Sequence, residues 1–234
     1  MLQYYKIADL LVAMDTYGRT QHQAEAYLSE ADKEPDIIIT SYRELMHQLH
    51  PTLSDDDCEY MGTGGSFYKE LLKFDGFMLH SSAVVMDGKA YLFSANPGTG
   101  KSTHSELWLK VFGDRAYILN DDKPALRLID GVWHACGTPW SGKNDISSNT
   151  CVPVGGICML FRGETNQITP YTGKDAIFDL FVQTNRPKAM ENRIILLDLL
   201  DKLFRQVPVW KLHCNMDPEA AVVSYEAMSG KKWR

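Results

Sequence analysis

Residues 95–103 read Ala95-Asn96-Pro97-Gly98-Thr99-Gly100-Lys101-Ser102-Thr103. An apolar run, Lys89–Ser94, leads into them. Ser102–Phe112 follows, with Leu107, Leu109 and Val111 in a helical setting. Strand, glycine-rich turn and helix in that order match a relaxed P-loop, G-x-x-x-x-G-K-[ST], with Ala95 in place of the first glycine. Gly98 and Gly100 let backbone N–H groups converge on an anion without side chains in the way. The helix beginning near Lys101 aims the positive end of its dipole at the same point. Asn96, Pro97, Gly98, Thr99, Gly100, Lys101, Ser102 and Thr103 then form a phosphate cradle. Lys101 reaches the β- and γ-phosphates of ATP, and Ser102 offers a hydroxyl to Mg²⁺. A glycine turn that merely joins a strand to a helix is the weaker reading, because the flanking elements are those the motif needs.

Downstream, Ala116–Leu119 predicts a strand, closed by Asn120-Asp121-Asp122. An acidic residue at the end of the strand next to a P-loop supplies the carboxylate that magnesium takes beside the Ser102 hydroxyl. Two adjacent carboxylates suggest divided labour, one on the metal and one accepting the proton of an attacking hydroxyl. Read alone, the pair would be a solvated turn; its place after the P-loop helix and strand reverses that.

Upstream, Gly76–Met86 and Lys89–Ser94 are two apolar strands around Asp87-Gly88, a strong hairpin signal. Pro124–Ile129 and Val132–Ala135 repeat the device around Asp130-Gly131, and Val152–Phe161 predicts another strand. Lys174–Val207 reads as mainly helical, followed by a strand at Val209–Leu212 and a helix from near Pro218. Before the hairpin, Tyr4–Ala13 and Asp36–Thr40 read as strands. Ser41 and Glu44 form a capping-box pattern for a helix ending near Pro51, and Gly62–Phe74 reads as a second helix. Strands outnumber parallel crossovers, so the fold class is mixed α/β. A P-loop core with a mixed sheet and flanking helices spans 76–234, with a small α+β lead-in over 1–75 packed on it.

The 234 residues are 44% hydrophobic and 23% charged, an ordinary globular mixture, and the net charge of −6 argues against a nucleic-acid coat. The N-terminus lacks a signal-peptide pattern, and no run is long enough to span a membrane. The five cysteines, Cys58, Cys136, Cys151, Cys158 and Cys214, show no C-x-x-C spacing and are expected as reduced thiols of a cytoplasmic protein.

The stretch from Phe77 to about Gly163 resembles the catalytic domain of HPr kinase/phosphorylase, which shares a core with phosphoenolpyruvate carboxykinase. The residues that carry the likeness are His80 in FMLHSSAVVMDGKAYLF, then ANPGTGKST, then LNDD. The resemblance implies ATP-dependent phosphorylation of a serine-type hydroxyl on a protein, peptide or small molecule. By position it makes Asp121 the catalytic acid/base and Asp122 the carboxylate on the metal side. His80 would sit beside the triphosphate and support the catalytic aspartate. The lead-in does not resemble the front domain of the full HPr kinases, and GTPWSGK followed by SSN stands where their glycine-rich signature segment would be. The chain is closer to short stand-alone HPr-kinase-like proteins, which leaves HPr and the reverse phosphorylase activity unassigned. Full-length relatives assemble as hexamers, so a homo-oligomer is a candidate partner.

In the loop 137–149, Gly137, Pro139 and Gly142 make a tight turn, Trp140 offers a flat apolar face and Lys143 a cation. Lys143 is the candidate for a second positive charge on the transferring phosphoryl group, with Arg162 a weaker one. The competing reading is a surface turn whose Trp140 packs into the core. For the whole chain, the alternative to a kinase is a nucleotide-binding regulatory or assembly module that hydrolyses ATP slowly or not at all. A carboxykinase acting on a small acid ranks last, since that family needs further metal ligands and a longer chain.

Overall fold

The lead-in opens with two strands, β1 (Gln3–Ile7) and β2 (Leu10–Met14), where the sequence reading has one. Ala8 and Asp9 take φ of 52° and 62°, turning the chain back so that Ile7 pairs with Leu10. The computed structural model describes residues 2–31, 33–40 and 42–233. Helix α1 (Gly18–Ala24) leads to β3 (Ile37–Ile39), which pairs parallel with β2, giving a three-stranded sheet in the order β1-β2-β3. Helix α2 spans Arg43–Leu49; the expected Ser41 cap lies outside the described residues. Helix α3 runs Asp55–Leu71 and so begins well before Gly62. Ser54 Oγ accepts the Asp57 N–H, and three aspartates fill the first turn, where the helix dipole favours them.

The expected strand Gly76–Met86 is broken. It divides into β4 (Gly76–Met78) and β5 (Ser81–Met86), with Leu79 and His80 between them. β6 (Lys89–Ser94) closes the Asp87-Gly88 hairpin, whose turn residues have φ of 53° and 72°. Then come α4 (Lys101–Phe112), β7 (Ala116–Asn120), β8 (Ala125–Ile129), β9 (Val132–Cys136) and the long β10 (Cys151–Arg162). A strand absent from the sequence reading, β11 (Gln167–Pro170), precedes α5 (Gly173–Val182) and α6 (Met190–Gln206). β12 (Val209–Cys214) and α7 (Glu219–Ser229) end the chain's elements.

The core is a nine-stranded mixed sheet in the order β4-β8-β9-β10-β6-β5-β7, with β12 on β10 and β11 on β12. β10 joins its two halves. Cys151–Pro153 pair antiparallel with β9, whereas the later residues run parallel to β6 and β12. The change of partner falls between Pro153 and Val154, and the register shifts just after it, at Gly155. A Cβ on Gly155 would lie 2.9 Å from the Tyr91 ring, so the bend needs glycine. One apolar cluster packs α5 and α6 on the sheet through Leu180, Leu199 and Leu203. Another packs α4 and α7 on the opposite side through Trp108 and Tyr225. A third joins the lead-in to the core, with Tyr5, Phe67 and Tyr68 against Met78, Ala125 and Trp140.

Two expectations about side chains need correction. Cys136 and Cys151 are disulfide-bonded, not reduced, leaving Cys58, Cys158 and Cys214 free. They stand directly opposite each other in the β9–β10 ladder, with Cα atoms 4.1 Å apart, a proximity set by sheet register and invisible to local spacing. Trp140 presents no face to a ligand. It is fully buried, stacked on Phe67 at 4.9 Å, and its Nε1–H donates to Thr63 Oγ1 at 3.2 Å. The packed reading of the 137–149 loop therefore holds for Trp140. No helix of the described residues is long and apolar enough to cross a membrane.

Candidate active site

β6 ends at Ser94, whose hydroxyl donates to the His80 carbonyl at 2.8 Å, and the glycine-rich loop leaves from there. Ala95, in the place of the motif's first glycine, is fully buried beneath it. The Thr99 N–H donates to Asn96 O at 3.1 Å, and Gly98 and Gly100 have φ of 76° and 113°, open to glycine at little cost. Gly100 is the N-cap of α4 and contributes no side-chain cap, so first-turn N–H groups are left for an anion. Arg162 Nη2–H donates to Gly98 O at 2.7 Å, which ties the end of β10 to the loop.

At the first turn of α4 stand Lys101 and Ser102. Burial draws the Lys101 ammonium below its ordinary value, while Asp122 and Asp121 pull it back up. The acidic pair therefore acts on Lys101 of the glycine-rich loop. Its local fold comes from Asn120, whose Oδ1 accepts the N–H groups of Asp122 and Lys123 at 3.0 and 2.8 Å. Asp121 is 7% exposed. Its Oδ1 accepts from Ser82 Oγ at 2.7 Å, and Ser105 of α4 donates to Ser82 at 2.7 Å, a hydroxyl chain from the helix to the carboxylate. Among the described residues its Oδ2 has only a long contact, 3.4 Å, from the Asn144 amide.

Asp122 is held differently. Its Oδ1 lies 3.1 Å from His80 Nε2, and its Oδ2 is ion-paired with Lys123. Burial would raise this carboxyl, but His80 and Lys123 outweigh it and hold it down to about 2. His80 thus supports Asp122, whereas the sequence reading has it support Asp121. The break between β4 and β5 makes this contact: the His80 N–H leaves the ladder to donate to Gln183 O at 2.7 Å. Gln183, just past α5, also lies 3.2 Å from His80 Nδ1 through Oε1, and its Nε2–H donates to Asn96 Oδ1 at 3.3 Å.

Ser102, Asp121, Asp122 and Lys143 line one cavity of about 530 Å³. The lead-in closes another part of its wall with Arg19 and Tyr60. The Arg19 guanidinium lies 4.1 Å over the Tyr60 ring and donates to Gly142 O at 2.6 Å. A second cavity, about 660 Å³, opens from Gly98–Gly100 and is lined by Thr103, His104 and Arg162, among others. The residues found in the sequence thus meet around one loop: the P-loop, the acidic pair, His80 and Lys143. Gln183, Arg19, Asn144 and His104 are not among them. No spacing rule links Gln183 or Arg19 to the motif, because only the tertiary fold brings them near.

No family model matches the chain, and no curated protein is detectably similar to it. Among solved structures, the HPr(Ser) kinase/phosphatase from Coxiella burnetii is similar with a TM-score of 0.38 and 12% identity. The match covers 65% of this chain and 95% of that one. A likeness so distant says nothing about chemistry, which has to come from the side chains.

Proposed function

We propose that the chain is an ATP- and magnesium-dependent phosphotransferase that moves the γ-phosphoryl group to a serine-type hydroxyl of a protein, peptide or small molecule. One observation carries this: Ser102 of the P-loop and both carboxylates of the acidic pair line a single cavity, with Lys101 under the influence of both. The donor set fits magnesium, since a hydroxyl and one or two carboxylates beside a triphosphate are the hard oxygen ligands it takes. Ser102 and Asp122 would hold the ion, and bound magnesium supplies positive charge to the phosphate oxygens.

The amides of residues 98–102 and the Lys101 ammonium bind the phosphates and offset the charge that builds during transfer. Asp121 takes the proton of the attacking hydroxyl, through the oxygen its neighbours leave least engaged. The acceptor oxygen bonds to the γ-phosphorus, the bond from that phosphorus to the β–γ bridging oxygen breaks, and ADP leaves. His80, fixed by Gln183, keeps Asp122 ionised and oriented. Lys143, on the cavity wall, adds a second cation at the transferring group.

The test uses the full chain with Mg²⁺ and γ-labelled ATP. Free L-serine, seryl peptides and water serve as acceptors, and nucleotide binding is measured separately by calorimetry. Asp121→Asn should bind ATP within about twofold of wild type and lose transfer by roughly 10²–10⁴-fold. A wild-type protein that binds no nucleotide, or an Asp121→Asn variant that transfers as well as wild type, overturns the proposal.

A further inference from the structure

The acidic cavity has a wall that the transfer step does not use. Arg19 of α1 and Tyr60 of α3 stand on it, both from the lead-in, and share its space with Ser102, Asp121 and Asp122 of the core. The guanidinium is held in place from two sides. Its Nη2–H donates to Gly142 O at 2.6 Å, and it lies 4.1 Å over the Tyr60 ring, a cation–π distance. Tyr60 Oη accepts the Gly142 N–H at 3.0 Å, and Gln23 Nε2–H donates to Gly142 O at 3.1 Å. Gly142 itself abuts the acidic pair: a Cβ built there would lie 3.0 Å from Asp122 Cβ. A single residue therefore separates the guanidinium from the acidic pair.

These contacts leave Arg19 with charge to offer. Its ion-pair partner is Asp57, whose Oδ1 lies 3.5 Å from Nη1 and whose Oδ2 accepts from Ser54 Oγ at 2.9 Å. The two side chains are 27% and 48% exposed, and a pair so long and so open to water is weak. The remaining N–H groups of the guanidinium have no partner among the described residues. The other cations of the cavity are committed. Lys123 is ion-paired with Asp122, and Lys143 belongs, under the proposed function, to the transferring phosphoryl group. An arginine fork ordered in advance and still short of acceptors is a receptor for the oxygens of a carboxylate or phosphate.

We propose that Arg19 determines acceptor specificity: it holds a carboxylate or phosphate group of a small hydroxylated molecule while the hydroxyl of that molecule faces Asp121. The inference rests on the phosphotransferase reading in placing the acceptor beside Asp121, and it narrows that acceptor to an anionic small molecule. The anion is held and not consumed; the separate hydroxyl loses its proton and gains the phosphoryl group. A serine within a peptide is flanked by neutral amides and gives Arg19 no such partner. A cavity of about 530 Å³ lies in the size range of small-molecule sites.

Calorimetry with Mg²⁺ and the non-hydrolysable analogue AMP-PNP reads this site without turnover. The probes are glycerate against glycerol, N-acetyl-L-serine against N-acetyl-L-serinamide, and glycerol 3-phosphate, each titrated into wild type and Arg19→Gln. At least one anionic probe should bind wild type about ten- to a hundredfold more tightly than its neutral counterpart, the effect of a charge-assisted hydrogen bond. That preference should fall below about threefold in Arg19→Gln, while the neutral probes bind both proteins alike, which a merely slackened Gly142 would not allow. Glycerate against glycerol 3-phosphate tells carboxylate from phosphate. If Arg19→Gln does not fold, Arg19→Lys keeps the charge but loses the fork, and should still cut the preference by about threefold or more. The proposal is overturned if no anionic probe binds wild type at least about threefold more tightly than its neutral counterpart, or if the preference survives in the folded variant. Failure of the phosphotransferase reading is separate: wild type would bind no AMP-PNP or transfer phosphate to no acceptor, whereas the preference for an anion is read from binding.

Discussion

His80 Nε2 lies 3.1 Å from Asp122 Oδ1, across a gap that exists because the chain breaks its ladder between β4 and β5. With Lys123, this contact holds the Asp122 carboxyl at about 2, below its ordinary 3.8, against the opposing effect of burial. A carboxyl whose folded value is depressed stabilises the native state above its unfolded value and loses that contribution as pH falls. The window here is from about pH 4 to pH 2. The depression corresponds to about 2 kcal/mol. The stability gap between wild type and Asp122→Asn, from urea unfolding, should shrink by about that amount between pH 5 and pH 2. A gap independent of pH would show that Asp122 is not held as described.

Gln183 joins this pair to the P-loop, with Oε1 on His80 Nδ1 at 3.2 Å and Nε2 on Asn96 at 3.3 Å. Gln183→Leu keeps the bulk and removes both bonds. The imidazole then loses its orienting partner while the loop amides that the proposed function puts on the phosphates stay in place. Phosphoryl transfer should fall by about ten- to a hundredfold, with the ATP dissociation constant within about threefold of wild type. Equal losses in binding and turnover would mean that Gln183 only supports the fold.

What could be read in advance follows the range of the interactions. The Asp87-Gly88 and Asp130-Gly131 hairpins are local: two residues set the turn, and both take positive φ. The glycine-rich loop is also local, so Lys101 and Ser102 read off nine consecutive residues, and the acidic pair reads from its place at the end of the next strand. Tyr4–Ala13 reads as one strand because the turn at Ala8-Asp9 carries no glycine or asparagine, although both residues adopt the left-handed conformation. Ser54 with Asp55, Asp56 and Asp57 is a legible helix start, outside the helix that the sequence reading begins at Gly62. Gln183 and the Cys136–Cys151 pair lie beyond any such rule, since each gains its meaning from partners that the fold brings in from elsewhere.

The Cys136–Cys151 bridge spans a sequence separation of 15 and closes the loop that carries Trp140, Lys143 and Asn144. A cross-link of that length stabilises by about 3 kcal/mol, chiefly by restricting the unfolded chain. Alkylation of denatured protein without reductant should label three cysteines, Cys58, Cys158 and Cys214, and all five after reduction. Thermal melts with and without dithiothreitol should differ in favour of the oxidised form. Labelling of Cys136 and Cys151 without reductant would contradict the bridge.

Gly137 tests how the loop holds the acidic pair. A Cβ there would lie 1.9 Å from the Ser148 carbonyl oxygen and 3.1 Å from that of Leu119, both backbone atoms that no side-chain rotation can move aside. Ser148 in turn donates its N–H to Leu119 O at 2.9 Å, and the Asp121 N–H donates to Ile146 O at 3.1 Å, so this strip of loop sets where the carboxylates begin. Gly137→Ala must push residues 146–148 off β7. The cost in stability should be about 1–3 kcal/mol or more, read from chemical unfolding. The displacement also reaches Asp121, so transfer should fall further than the unfolded fraction explains, while tripolyphosphate, which the proposed function puts on the loop after β6, across β5 from β7, should bind the folded variant as before. A Gly137→Ala protein as stable and active as wild type would mean that the loop leaves Ser148 more room than the structure gives it.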